Sequence, residues 1–112
     1  MANAVPIEID PLTVQQLFDS EEEFLLLDCR EPTECSIVRI ESATPIPMGE
    51  IPARLADLEE HRDRRIVVHC HHGGRSLQVT EWLRAQGFSS VQNMSGGIDA
   101  WALEVDKTLP RY

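Results

Sequence analysis

The sequence predicts an α/β fold in which a parallel sheet is covered by helices on both faces. Three observations carry that expectation. Short apolar runs of strand length alternate with stretches of helical periodicity along the chain. The run Ile66-Val67-Val68 is apolar without alternation, as a strand buried on both faces requires. A glycine-containing turn then joins that run directly to a helical pattern.

The elements follow in order. Residues 6–9 are a candidate short strand. Asp10 before Pro11 is a good helix start, with Asp as N-cap and Pro at the first helical position, and Val14, Leu17 and Phe18 follow at helical spacing. Residues 24–29 form an apolar run of strand length, and residues 44–47 a weaker strand candidate. Ile51, Leu55 and Leu58 sit at i, i+4 and i+7 and predict a second amphipathic helix, whose Pro52 is tolerated only in the first turn. Residues 65–70 are the strongest strand. Residues 75–86 predict a helix with Val79, Trp82 and Leu83 as its apolar face and Gly87 as its stop. Residues 88–94 hold a last strand, and Ile98, Trp101, Ala102 and Val105 form a closing helical stripe.

At 112 residues the chain is expected to be one domain, 1–112. A chain of this size buries roughly 65% of its unfolded surface, enough for one core. The net charge is −9, from 19 acidic and 10 basic residues, a field that repels phosphate backbones and disfavours nucleic acid. The run Glu21-Glu22-Glu23 reads as a solvated turn. No apolar run is long enough to cross a bilayer, and the opening Met-Ala-Asn-Ala-Val-Pro lacks the pattern of a signal peptide, so the expected compartment is the cytoplasm. Cys29, Cys35 and Cys70 are odd in number and irregular in spacing, which argues for reduced thiols rather than a disulfide framework. No oligomer interface is marked, and a monomer is the expectation.

Open parallel sheets bind ligands at the carboxyl ends of their strands. That rule selects His69-Cys70-His71-His72-Gly73-Gly74-Arg75-Ser76. A cysteine ending a buried strand, then a glycine turn, then a helix start, is an anion cradle. Backbone N–H groups can turn inward and the helix dipole adds positive potential, so both favour thiolate at Cys70. Gly73 and Gly74 allow the curvature, Arg75 adds charge or braces the loop, and Ser76 can cap the helix. His69 should face the opposite side of the strand from Cys70. A structural core thiol and a metal site are the competing readings of this segment. Adjacent residues do not readily converge on one tetrahedral centre and no second ligand pair stands out, so no metal or organic cofactor is expected.

The stretch Cys70-His71-His72-Gly73-Gly74-Arg75-Ser76 resembles the active-site loop of the rhodanese family. Leu27-Asp28-Cys29-Arg30-Glu31-Pro32 resembles that family's Asp-Val-Arg-Glu-Pro strand end, and Gly96-Gly97-Ile98 with Trp101 its closing signature. The resemblance covers nearly the whole chain. It implies a five-stranded parallel sheet of order 1-5-4-2-3 and sulfurtransferase chemistry. Cys70 would be the catalytic nucleophile that attacks a donor such as thiosulfate, and the loop His71, His72, Gly73, Gly74 and Arg75 would bind substrate. A persulfide on Cys70 would then pass its sulfur to a thiophilic acceptor. The histidines either orient substrate or simply face solvent. The donor is a small molecule or a protein persulfide. The sequence departs from the family at Val38-Arg39-Ile40-Glu41-Ser42-Ala43, where Gly-His-Ile-Pro-Gly-Ala is usual. Cys29 replaces a common valine and Cys35 a common aromatic, both read as core filling. With the family's strand order, Cys29 and Cys70 end neighbouring strands, so a disulfide between them is a further option.

Two other functions compete. Related phosphatases share the fold but place five residues between the loop's Cys and Arg, whereas here there are four, His71 to Gly74. The other is a sulfur-delivery or regulatory module serving a protein partner.

Overall fold

The computed structural model describes residues 3–112, so Met1 and Ala2 of the opening segment lie outside the described residues. Five strands, β1 (Glu8–Ile9), β2 (Phe24–Asp28), β3 (Thr44–Pro45), β4 (Arg65–His69) and β5 (Ser90–Met94), pair in parallel in the order β1-β5-β4-β2-β3. Four α-helices, α1 (Pro11–Asp19), α2 (Pro32–Ile37), α3 (Gly74–Ala85) and α4 (Gly97–Glu104), complete the domain. The fold and strand order agree with the expectation.

The central strand β4 explains the layering. Ile66, Val68 and Cys70 point to one face with Leu27, Cys29, Val79, Leu83, Phe88 and Val91. Val67 points to the other, with Leu26, Val14, Met94, Ile98 and Trp101. The period of two thus feeds two apolar layers, one against α3 and the other against α1 and α4. Asp10 caps α1 as expected, its carboxylate accepting from the Thr13 N–H at 2.9 Å.

Two local expectations need correction, and one helix was not anticipated. The Ile51–Leu58 stripe does bury Ile51 and Leu58, but Leu55–His61 is a 3₁₀ helix rather than an amphipathic α-helix. Pro52 has no N–H to donate, and the segment continues on i−3 bonds such as Asp57 N–H to Arg54 C=O at 2.9 Å. Helix α2 carried no expectation. Pro32 at its first position and the Glu34 carboxylate accepting from the Glu31 N–H at 3.1 Å set its start. Ser76 does not cap α3. Gly73 holds that position with φ +108°, and Ser76 lies within the first turn.

Among the described residues no helix is long and apolar enough to cross a membrane.

Candidate active site

Cys70 follows β4 at its carboxyl end, 1% exposed. From there the chain turns through His71, His72 and Gly73 into α3. The Gly73 N–H donates to Cys70 Sγ at 3.1 Å and the Ser76 N–H at 3.4 Å. The Ser76 hydroxyl, whose one proton serves either acceptor, lies 3.3 Å from Sγ and 2.5 Å from Asn93 Oδ1. The Cys29 thiol, just past the end of β2, lies in the same core cluster and also favours the charged form of that sulfur. These groups, Cys29 foremost, outweigh the opposing effect of burial and bring the Cys70 thiol down to about 4. Cys29, pressed against that thiolate and buried, is pushed far above the ordinary thiol value. Cys35 is also raised, by burial and by Asp28.

The rest of the surroundings hold the turn in shape. The Ile98 N–H donates to the Cys70 carbonyl at 2.9 Å and the Asp99 N–H to that of His71 at 3.1 Å, so the first turn of α4 clamps the loop from behind. Gly97 (φ +59°) lets the two backbones approach, since a Cβ there would overlap the Cys70 carbonyl oxygen and the His71 backbone. Asn93 on β5 donates to the Gly73 carbonyl at 3.2 Å and to the Glu8 carboxylate at 2.9 Å, tying the loop to the sheet.

A rhodanese-like domain model matches residues 10–104, which contain the Cys70 loop, the Asp28-Cys29-Arg30 strand end and the Gly96-Gly97 turn. The chain belongs to the rhodanese-like domain family. It is 39% identical over 95 residues to a sulfurtransferase of Allochromatium vinosum, covering 85% of this chain and 87% of that protein. It is 38% identical over 93 residues to rhodanese-like/PpiC domain-containing protein 12 of Arabidopsis thaliana; there it covers 81% of this chain but spans only 31% of the longer relative. The crystal structure of a rhodanese-related protein of Thermoplasma volcanium superposes with a TM-score of 0.78 at 29% identity, covering 89% of this chain and 94% of that one.

The geometry gives the rhodanese-like signatures their physical content. Asp28 and Arg30 are a fully buried ion pair, Nη2 to Oδ2 2.8 Å, that fixes the end of β2 and so the place of Cys29 beside Cys70. Gly96-Gly97 is the clamp behind the loop. The departing segment 38–43 is irregular; Val38, Ile40 and Ala43 are buried, whereas Arg39 is exposed and donates to the Glu41 carbonyl at 3.2 Å.

The loop residues singled out from sequence divide into three groups. Gly73 and Gly74 shape the turn beside the sulfur. His71 is half-buried in a stack, its ring 3.8 Å from that of His72 on one side and 3.8 Å from that of Tyr112 on the other. His72 is exposed, with Nε2 3.8 Å from Asp99. Ligand atoms of His71, His72 and Asp99 lie within 4.8 Å of one another, but both Asp99 oxygens already accept from Arg111, at 2.8 and 3.2 Å. His69 is buried on the opposite face as expected, its Nε2 3.7 Å from Asp28, and burial pushes its pKa down so that it is neutral.

The Arg75 guanidinium is engaged by the Glu34 carboxylate through two bonds of 2.6 and 2.9 Å. Tyr112 Oη also donates to Glu34, at 2.7 Å, and Arg75, with Tyr112, holds the Glu34 carboxyl down at about 2. Arg75 therefore braces the loop. Glu34, Asn93 and Tyr112 carried no role in the sequence reading, and Cys29 was read as core filling with a disulfide to Cys70 as an option. Asn93 was the one with a local signal, a polar residue in an otherwise buried strand.

Two outcomes follow. Iodoacetamide labelling of Cys70 in the reduced protein should rise through about pH 4 and then stay flat, the thiolate being fully formed. A rate still climbing between roughly pH 7 and 9, where an ordinary thiol titrates, would contradict the cradle. Arg75→Ala should lower kcat/KM for sulfurtransfer about tenfold, the kinetic equivalent of about 1.4 kcal/mol. The same change should cost at most about 1 kcal/mol of stability, because the pair is partly exposed on the arginine side. An unchanged kcat/KM would reduce Arg75 to a surface residue.

Proposed function

We propose that the protein is a sulfurtransferase that carries sulfane sulfur as a persulfide on Cys70. The observation that carries this reading is a strand-end cysteine held as a thiolate by converging N–H donors from Gly73 and Ser76, with the Cys29 thiol on the neighbouring strand also favouring the charge. The relative from Allochromatium vinosum, named a sulfurtransferase, supports the same chemistry. In the first half-reaction the Cys70 thiolate attacks the outer sulfur of a donor such as thiosulfate, the S–S bond of the donor breaks, and sulfite leaves with the electron pair. The terminal sulfur of the resulting persulfide carries the negative charge, and the N–H groups of the loop and the first turn of α3 stabilise it as an oxyanion hole would. In the second half-reaction a thiophilic acceptor, such as cyanide or a thiol, takes that sulfur and regenerates the thiolate. Two half-reactions through one covalent intermediate predict ping-pong kinetics.

The loop residues act as frame and rim. Gly73, at φ +108°, makes the turn, Arg75 holds the loop on Glu34, and His71 and His72 are the side chains assigned to substrate beside the sulfur. A cradle of four residues between Cys70 and Arg75 suits one sulfur better than a tetrahedral phosphate.

The test is mass spectrometry of the protein after brief exposure to thiosulfate, next to an aryl-phosphate hydrolysis assay. The expected result is one added sulfur on the Cys70 peptide and no Cys70-dependent phosphatase turnover. Phosphatase turnover well above sulfurtransfer would reverse the assignment. Turnover with a protein persulfide donor, compared with thiosulfate and cyanide, identifies whether small molecules or a protein partner supply the sulfur.

A further inference from the structure

We propose that Cys29 is a resolving thiol that discharges the Cys70 persulfide as sulfide, giving the domain a second, reductive outcome. The inference rests on the sulfur-carrier reading above and concerns the fate of the loaded sulfur.

The placement comes from the sheet. β2 and β4 pair in parallel with Asp28 opposite His69, and the Cys29 N–H donates to the His69 carbonyl at 3.1 Å. Cys29 and Cys70 are therefore the next pair along the two strands. By the alternation of side chains they share the face of Leu27 and Val68, and both lie in that one core cluster. Neighbouring strands run about 4.7–4.9 Å apart, inside the Cα separation of about 4.4–6.8 Å that a disulfide spans. The two thiols act on each other, Cys29 being the largest single influence that lowers the Cys70 thiol's pKa. Filling the core at this point needs only apolar volume. A second thiol acting on the reactive sulfur adds chemistry that volume does not.

Burial restricts what Cys29 can meet. It is fully inaccessible, so outside donors and oxidants do not reach it, and its available partner is Cys70. Cys35 is not equivalent, since its Sγ lies against the Asp28 carboxylate at 3.5 Å and the Arg30 guanidinium at 3.9 Å.

The step balances without an added reagent. Cys29 sulfur attacks Cys70 Sγ, the inner sulfur of the persulfide. A Cys29–Cys70 bond forms, the bond from Cys70 to the terminal sulfur breaks, and the terminal sulfur leaves with the electron pair. It takes the Cys29 proton and departs as HS⁻. The sulfane sulfur is reduced to sulfide while the two cysteines are oxidised to a disulfide. An external thiol reductant then reopens the disulfide for another cycle. An acceptor that arrives first takes the sulfur by the ordinary route, so acceptor supply decides between transfer and discharge.

The experiment compares wild type, Cys29→Ser and Cys29→Val, each fully reduced, under anaerobic conditions. Each is loaded with thiosulfate, desalted and left without acceptor, and intact mass and free sulfide are followed. Wild type should first gain one sulfur, then lose it with two hydrogens and release about one sulfide per chain. Peptide mapping should find Cys29 linked to Cys70. Cys29→Ser, which keeps a hydroxyl donor beside Cys70, should hold the added sulfur and release no sulfide; Cys29→Val, which loses that donor and keeps apolar volume, should load more slowly but likewise hold the sulfur it gains and release no sulfide. A wild-type persulfide that persists as long as those of the variants would overturn the proposal and leave the carrier reading standing. No added sulfur on any of the three would overturn the carrier reading and the proposal together.

Discussion

Replacing Cys70 by serine is expected to remove sulfurtransfer, with kcat/KM falling by roughly 10⁴-fold or more, the scale on which loss of a covalent nucleophile acts. The reason lies in the sulfur's surroundings. The Gly73 and Ser76 donors stabilise a negative charge that a thiol acquires near pH 4 and a serine hydroxyl does not acquire at neutral pH. Serine therefore neither attacks a donor nor stores a sulfane sulfur. The fold should survive, because the substitution nearly conserves volume and the new hydroxyl can still accept from the same N–H groups. Turnover with thiosulfate and cyanide, read beside the circular dichroism spectrum and melting temperature, makes the comparison. Comparable turnover in a correctly folded variant would end the assignment of Cys70 as the sulfur carrier.

What the sequence made legible and what it hid follow from the range of the interactions. Ile66-Val67-Val68, Asp10-Pro11 and the Gly73-Gly74 turn are local statements, and the strand, helix start and loop stand where they were expected. The strand order came from three motifs in register, not from periodicity, which says nothing about which strands are neighbours. Failures were of two kinds. The stripe Ile51, Leu55, Leu58 fixes the buried face but not the hydrogen-bond period, and Pro52 tips the segment into i−3 bonding. Cys29 looked like a volume substitution because its importance depends on β2 lying beside β4, two strands separated in sequence by β3. The same holds for Tyr112, whose ring reaches His71 and whose hydroxyl joins Arg30 to Glu34 across most of the chain length.

Removing Asp28 should destabilise the protein more than any other single side-chain truncation near the site, by about 3–5 kcal/mol for Asp28→Ala. Asp28 and Arg30 are 1% and 0% exposed. The Arg30 Nε lies 3.0 Å from Oδ1 and its Nη2 2.8 Å from Oδ2, while its backbone N–H also donates to Oδ1 at 3.0 Å. A guanidinium does not shed its proton, so the variant would leave a buried cation whose remaining oxygen acceptors are the carbonyls of Val38 at 2.8 Å and Glu34 at 3.4 Å and the Tyr112 hydroxyl at 3.0 Å, none of them charged. At roughly 4–8 °C per kcal/mol for a domain near this size, the melting temperature should fall by at least about 12 °C. Burial, the largest single influence, would raise the Asp28 carboxyl, but the Arg30 hydrogen bonds and the neighbouring positive charge together outweigh it and the net shift is downward. The stabilisation is therefore present above the ordinary carboxylate pKa and is lost as pH falls through the lowered native value. Wild type should lose stability across that acid window more steeply than Asp28→Asn. The double variant Asp28→Leu/Arg30→Met, which removes both charges, should recover part of the loss. An Asp28→Ala protein within about 1 kcal/mol of wild type would mean that the neutral acceptors on Val38, Glu34 and Tyr112 suffice for Arg30. The same substitution reaches the site through the chain, since Asp28 immediately precedes Cys29 and its partner Arg30 is bonded through Tyr112 to Glu34 and thence to Arg75. Cys70 in Asp28→Ala should accordingly label with an upward-shifted pH midpoint at a temperature where the variant is still folded, because the Cys29 donor is no longer held against it.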